Sequence, residues 1–131
     1  MTELLKITKI EGVVPILHFE GNIDGQTESL AVEKAREVFD SGERSLIIDM
    51  GGVEMVTSAG LRALHTIYKM FTPADAIQSW NAEHENETFK SPYFVLAQPS
   101  SQVHYVLSIA GFLQSICIYP SMQEAIDSFK S

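Results

Sequence analysis

The chain has 131 residues, 45% of them hydrophobic and 20% charged, which fits one globular domain, 1–131, with a single sizeable core and no room for a second. Its formal charge of −8 repels phosphate backbones and anionic lipid headgroups, so neither nucleic acid nor membrane is expected as a partner. No apolar run reaches the roughly 20 residues that cross a bilayer, the first ten residues lack the apolar stretch of a signal peptide, and Cys117 is the only cysteine, so a cytoplasmic protein without internal disulfides is expected.

In chain order, residues 5–10 alternate apolar and polar side chains and residues 13–20 add a second β-rich run after Gly12, which predicts an opening hairpin. Residues 27–40 change to a helical period, with Ala31, Ala35 and Val38 on one face and Gly42 beyond the end. Residues 45–50 read as a strand buried on both faces, because Leu46, Ile47 and Ile48 follow one another. A turn at Gly51 and Gly52 leads to a second helix over 58–71, with Leu61, Leu64, Tyr68 and Phe71 at helical spacing and Pro73 as its stop.

Residues 72–91 are polar and acidic, with little apolar periodicity apart from Ile77 and Trp80, and read as one long polar loop. The alternation then resumes. A strand over 93–97 precedes a helix carrying Val103, Val106, Leu107 and Ala110, and a strand over 116–119 places Cys117 between Ile116 and Ile118. A last helix opens on a capping box of Ser121 and Glu124 and turns Ala125, Ile126 and Phe129 inward. The order predicts an α/β fold: a mixed sheet with a parallel centre, an opening hairpin, right-handed crossovers and about four helices.

The segment over 47–61 is the informative one, a buried strand, a tight loop and a helix start with Ser58 at the N-cap position. An N-cap serine contributes about 1 kcal/mol to its helix and needs no further role. Asp24 and Asp49 are expected at strand ends on the same rim as Ser58, either as partner contacts or as residues that order their own turns.

Asp49 followed by Thr57-Ser58-Ala59-Gly60-Leu61 resembles the signature of STAS domains, in particular the anti-sigma factor antagonists. Phe19-Glu20-Gly21-Asn22-Ile23-Asp24 resembles the glycine-to-aspartate turn of that family, and Ser108-Ile109-Ala110-Gly111-Phe112 resembles its closing helix-to-strand turn. The resemblance implies that Ser58 is a phosphate acceptor, that Ala59 replaces a second serine, and that Thr57, in place of the usual aspartate, is a secondary acceptor candidate. It implies a partner surface of Asp24, Asp49, Thr57, Ser58, Ala59, Gly60, Leu61 and Arg62. The partners it implies are an anti-sigma factor of the serine-kinase type, which supplies the ATP, and a serine phosphatase that resets the switch. The chain itself would be no enzyme and would carry no cofactor. The same resemblance also allows an unphosphorylated STAS subunit of a transport or signalling assembly.

Other chemistries fit the residues less well. A serine nucleophile elbow needs glycine two residues before the serine, where Val56 stands, although His18, His65 and His104 offer bases. Receiver-type phosphorylation of Asp49 lacks its acidic pair and lysine, and Gly51-Gly52 lacks the lysine of a phosphate-binding loop. His84 among Glu83, Glu85 and Glu87 reads as solvated surface and not as a metal site.

Overall fold

A computed structural model of the chain describes residues 5–83 and 90–130. Strands β1 (Leu5–Ile10) and β2 (Ile16–Ile23) form the expected antiparallel hairpin. Helix α1 (Glu28–Asp40) leads to β3 (Leu46–Val56), which lies parallel to β2, and α2 (Ser58–Phe71) follows at once. After α3 (Ala74–Glu83) come β4 (Ser91–Ala97), α4 (Ser101–Ile109), a short 3₁₀ turn over Phe112–Gln114, β5 (Ile116–Tyr119) and α5 (Met122–Asp127). The sheet order is β1-β2-β3-β4-β5, with every pair after the first parallel.

The alternation of side chains across the pleat divides the core in two. Phe19, Leu46, Ile48, Met50, Phe94 and Leu96 face one side, where α1, α2 and α4 bury Ala31, Ala35, Leu64, Ile67, Phe71, Val103 and Leu107 against them. Ile16, Ile47, Val95 and Ala97 face the other side and are covered by Ala125, with Ile126 and Phe129 packed around it. The succession Leu46, Ile47, Ile48 is apolar throughout because α-helices cover both faces there. Each such fully buried side chain contributes about 1.5–3 kcal/mol.

Three sequence expectations are corrected. Residues 72–91 are not one loop, since α3 occupies Ala74–Glu83 and brings the helices to five, and Ser91 already belongs to β4. No side chain of α3 is fully buried, so the segment carries no apolar stripe by which to recognise it. Gly51 and Gly52 do not form a turn either, because β3 runs through them to Val56. A Cβ on Gly52 would lie 2.7 Å from Glu20 Cγ and 2.9 Å from the Phe19 carbonyl oxygen, so glycine there permits the close approach of β2. Finally, the N-cap of α2 is Thr57, and Ser58 is the first residue of the helix proper. His84, Glu85 and Glu87 lie outside the described residues.

Candidate functional site

The junction of β3 and α2 is tied to the end of β2. The Thr57 N–H donates to the Ile23 carbonyl at 3.0 Å, and the Thr57 hydroxyl accepts from the Gly60 N–H at 3.4 Å. Gly60 is buried and has no room for more, since a Cβ there would stand 2.1 Å from the Ile23 carbonyl oxygen. These contacts fix where α2 begins relative to the sheet, and hence where its first residue points.

Ser58 is exposed at that position, and its hydroxyl has no hydrogen-bond partner among the described residues. The capping work falls to Thr57, so the Ser58 oxygen is open to another molecule. Ala59 is half-buried and sits 4.0 Å from where a Cβ of Gly25 would lie, which places the start of α1 beside the start of α2. Leu61 is half-buried against the main core and Arg62 points outward.

Asp24 ends the β2 edge of this rim and orders the turn into α1. Its Oδ1 accepts from the N–H groups of Gln26 at 2.9 Å and Thr27 at 3.2 Å, while buried Thr27 donates its hydroxyl to the Asn22 carbonyl at 2.8 Å. The local capping role foreseen for Asp24 is therefore met in full.

Asp49 does not end β3, although it lies opposite Ala97, the last residue of β4. It lies seven residues before the end of β3, is only 7% exposed, and is engaged on all sides. Oδ2 lies 2.7 Å from His18 Nδ1, and Oδ1 accepts from the Gly51 N–H and from Gln98 Nε2, each at 2.9 Å. Burial pushes this carboxyl up, but the bonds from Gln98, Gly51 and His18 outweigh it and hold the group below the ordinary carboxylate value. The physical reason for the difference is the length of β3, which runs on through the paired glycines to Val56. Where the rim does carry an apolar contact is Met55, 45% exposed on the last residues of β3 and not anticipated from the sequence.

One further interaction crosses the site. Arg62 Nε and Nη2 donate to the two carboxylate oxygens of Glu28 at 2.5 and 2.9 Å, joining the first turn of α1 to the second turn of α2. The two residues are 34 apart in sequence, so no local spacing announces the pair. No group of three or more metal-ligating side chains occurs among the described residues, and none of the described helices is long and apolar enough to cross a membrane.

Comparison with known proteins agrees with this geometry. The family model of the STAS domain matches residues 5–76. BtrV of Bordetella bronchiseptica, named as a candidate anti-sigma factor antagonist, is 27% identical over 128 residues, 97% of this chain and 95% of its own. An anti-sigma factor antagonist from Mycobacterium paratuberculosis has the same fold, with a TM-score of 0.77 at 16% identity over 97% of this chain and 95% of its own. So does the phosphorylated form of the Bacillus cell fate determinant SpoIIAA, with a TM-score of 0.59 at 14% identity over 94% of this chain and 96% of its own.

A parallel-centred sheet behind an antiparallel hairpin, with an open serine at the first residue of the helix after its central strand, defines a small α/β module. The chain belongs to the STAS domain family.

Proposed function

We propose that the chain is a partner-switching regulator that binds an anti-sigma factor of the serine-kinase type and is released when Ser58 is phosphorylated. The observation that carries the reading is the Ser58 hydroxyl, exposed and unpartnered at the first residue of α2 beside a rim of Asp24, Met55, Thr57, Ala59 and Leu61. The hydroxyl of Thr57 is already committed to the Gly60 N–H, which favours Ser58 over Thr57 as acceptor. The names of BtrV and of the solved antagonists support an anti-sigma factor as the partner.

In the transfer, Ser58 Oγ forms a bond to the γ-phosphorus of ATP held by the kinase, the bond to the ADP oxygen breaks, and the hydroxyl proton passes to a base of the kinase. A serine phosphatase reverses the change by hydrolysis, releasing inorganic phosphate. The phosphate brings about −1.5 to −2 charges to a helix N-terminus, which tolerates an anion, so the module stays folded. A partner packed over the same helix start would instead have to desolvate the added dianion, which is strongly unfavourable.

Mass spectrometry of the protein from its native cells, before and after phosphatase treatment, tests the reading directly. A phosphate on Ser58 supports it, one on Thr57 moves the acceptor, and consistent absence under growth and stress favours the unphosphorylated subunit. With the partner in hand, Ser58→Ala should bind constitutively and Ser58→Asp weakly, both folding normally; a misfolded aspartate variant would contradict a switch based on surface charge.

A further inference from the structure

Ser58 and Arg62 are four residues apart on α2, so they share one face of the helix a single turn apart. An anion at the N-terminal member of such a pair and a cation at the C-terminal one is the favourable orientation. In the unmodified chain the Arg62 side chain is 67% exposed and its guanidinium forks onto Glu28, in the first turn of α1. The starts of α1 and α2 are adjacent, as the approach of Gly25 to Ala59 shows. A phosphate on Ser58 would therefore arrive one helical turn from a cation that the Glu28 carboxylate already orders.

Resting on the reading of Ser58 as the acceptor, we propose that Arg62 is the residue that holds the phosphate, exchanging the Glu28 carboxylate for the phosphoryl oxygens and so opening the clamp between α1 and α2. The competition favours phosphate because a dianion with three acceptor oxygens suits the guanidinium fork at least as well as a monoanionic carboxylate does. Glu28, left without its partner, then faces a like charge. Phosphorylation thus changes the α1 side of the rim as well as the Ser58 side, which would add to the loss of a partner that spans both helix starts.

The test uses protein with phosphoserine installed at position 58 during translation, so that it does not depend on any kinase accepting this chain. In a ³¹P NMR titration the phosphate should ionise at lower pH in the otherwise native chain than in the Arg62→Ala variant, with Arg62→Lys restoring only part of the shift. The side-chain Nε–H signal of Arg62 gives a second readout. In unmodified protein Glu28→Gln should move it, whereas in phosphorylated protein Glu28→Gln should leave it in place, because the pair has already opened. The backbone amide spectrum checks that these substitutions leave the fold intact. Equal phosphate titrations with and without Arg62, or an Arg62 signal still sensitive to Glu28→Gln after phosphorylation, would overturn the proposal. Failure of Ser58 as the natural acceptor would appear only in the mass spectrometry of native protein, so the two outcomes are separable.

Discussion

His18 and Asp49 form a partly buried pair across β2 and β3, on the sheet face opposite α1 and α2. The hydrogen bond that His18 donates to Asp49 raises the imidazole above its usual 6.5, burial works against it, and Glu20, 3.2 Å from Nε2, adds to the rise. Folded protein therefore holds this proton more tightly than unfolded chain does. The resulting stabilisation is fully present below pH 6.5 and is lost as the pH rises through the elevated folded value. It also needs an ionised Asp49, whose depressed value means that its own contribution is present above pH 3.8 and fails as the pH falls through the folded value. Urea unfolding of the native chain and of His18→Ala should thus differ most in moderately acidic buffer and converge toward alkaline pH. A gap that widens with rising pH would mean that the imidazole is not stabilised as a cation. None of this was legible in the sequence, where His18 is one polar residue in an alternating strand and Asp49 reads as the end of another. Gln98, the third member, sits at a strand end 49 residues from Asp49 and gives no local sign of the contact.

At the scale of the element, α2 shows where local preference and packing disagree. Helix propensity alone predicts that Gly60→Ala gains about 1 kcal/mol. The structure predicts the opposite, because the added Cβ would meet the Ile23 carbonyl oxygen, its carbon and Val56 Cγ1, all within 2.9 Å. The Ile23 carbonyl cannot retreat freely, since it accepts the Thr57 N–H that anchors the helix start. Overpacking of this kind costs about 1–3 kcal/mol, so Gly60→Ala should lower the denaturant midpoint, and an unchanged or raised midpoint would show that β2 and α2 separate without strain. Within the motif around Ser58, Gly60 and Thr57 are both set by this one close approach to Ile23. The identity of the cap was not readable, since Thr57 and Ser58 are both good N-cap residues and only the backbone, extended at Thr57, tells them apart.

For the molecule as a whole, stability should reside in the sheet and the helices that cover it, and not in every helix the chain forms. The strands and the four helices that bury residues were legible because their apolar periods of two and 3.6 record which face they cover. Helix α3 left no such record, although Pro73 before it and three alanines within 74–83 favour a helix by propensity alone. Its base is anchored by a buried bond between the Thr72 and Ser91 hydroxyls at 2.8 Å, which joins the end of α2 to the start of β4 without using α3 itself. A proline at an interior position of α3, Gln78→Pro, should therefore unwind that helix locally and leave global unfolding within about 0.5 kcal/mol of the native chain, the range of ordinary surface changes. Leu64→Ala, which empties a fully buried position between α2 and the sheet, should cost about 2–5 kcal/mol. Circular dichroism would report the lost helix in the first variant and denaturant titration the lost stability in the second. If Gln78→Pro destabilised the whole chain as much as Leu64→Ala, α3 would have to belong to the cooperative core, and the segment that joins α2 to β4 would be structural and not peripheral.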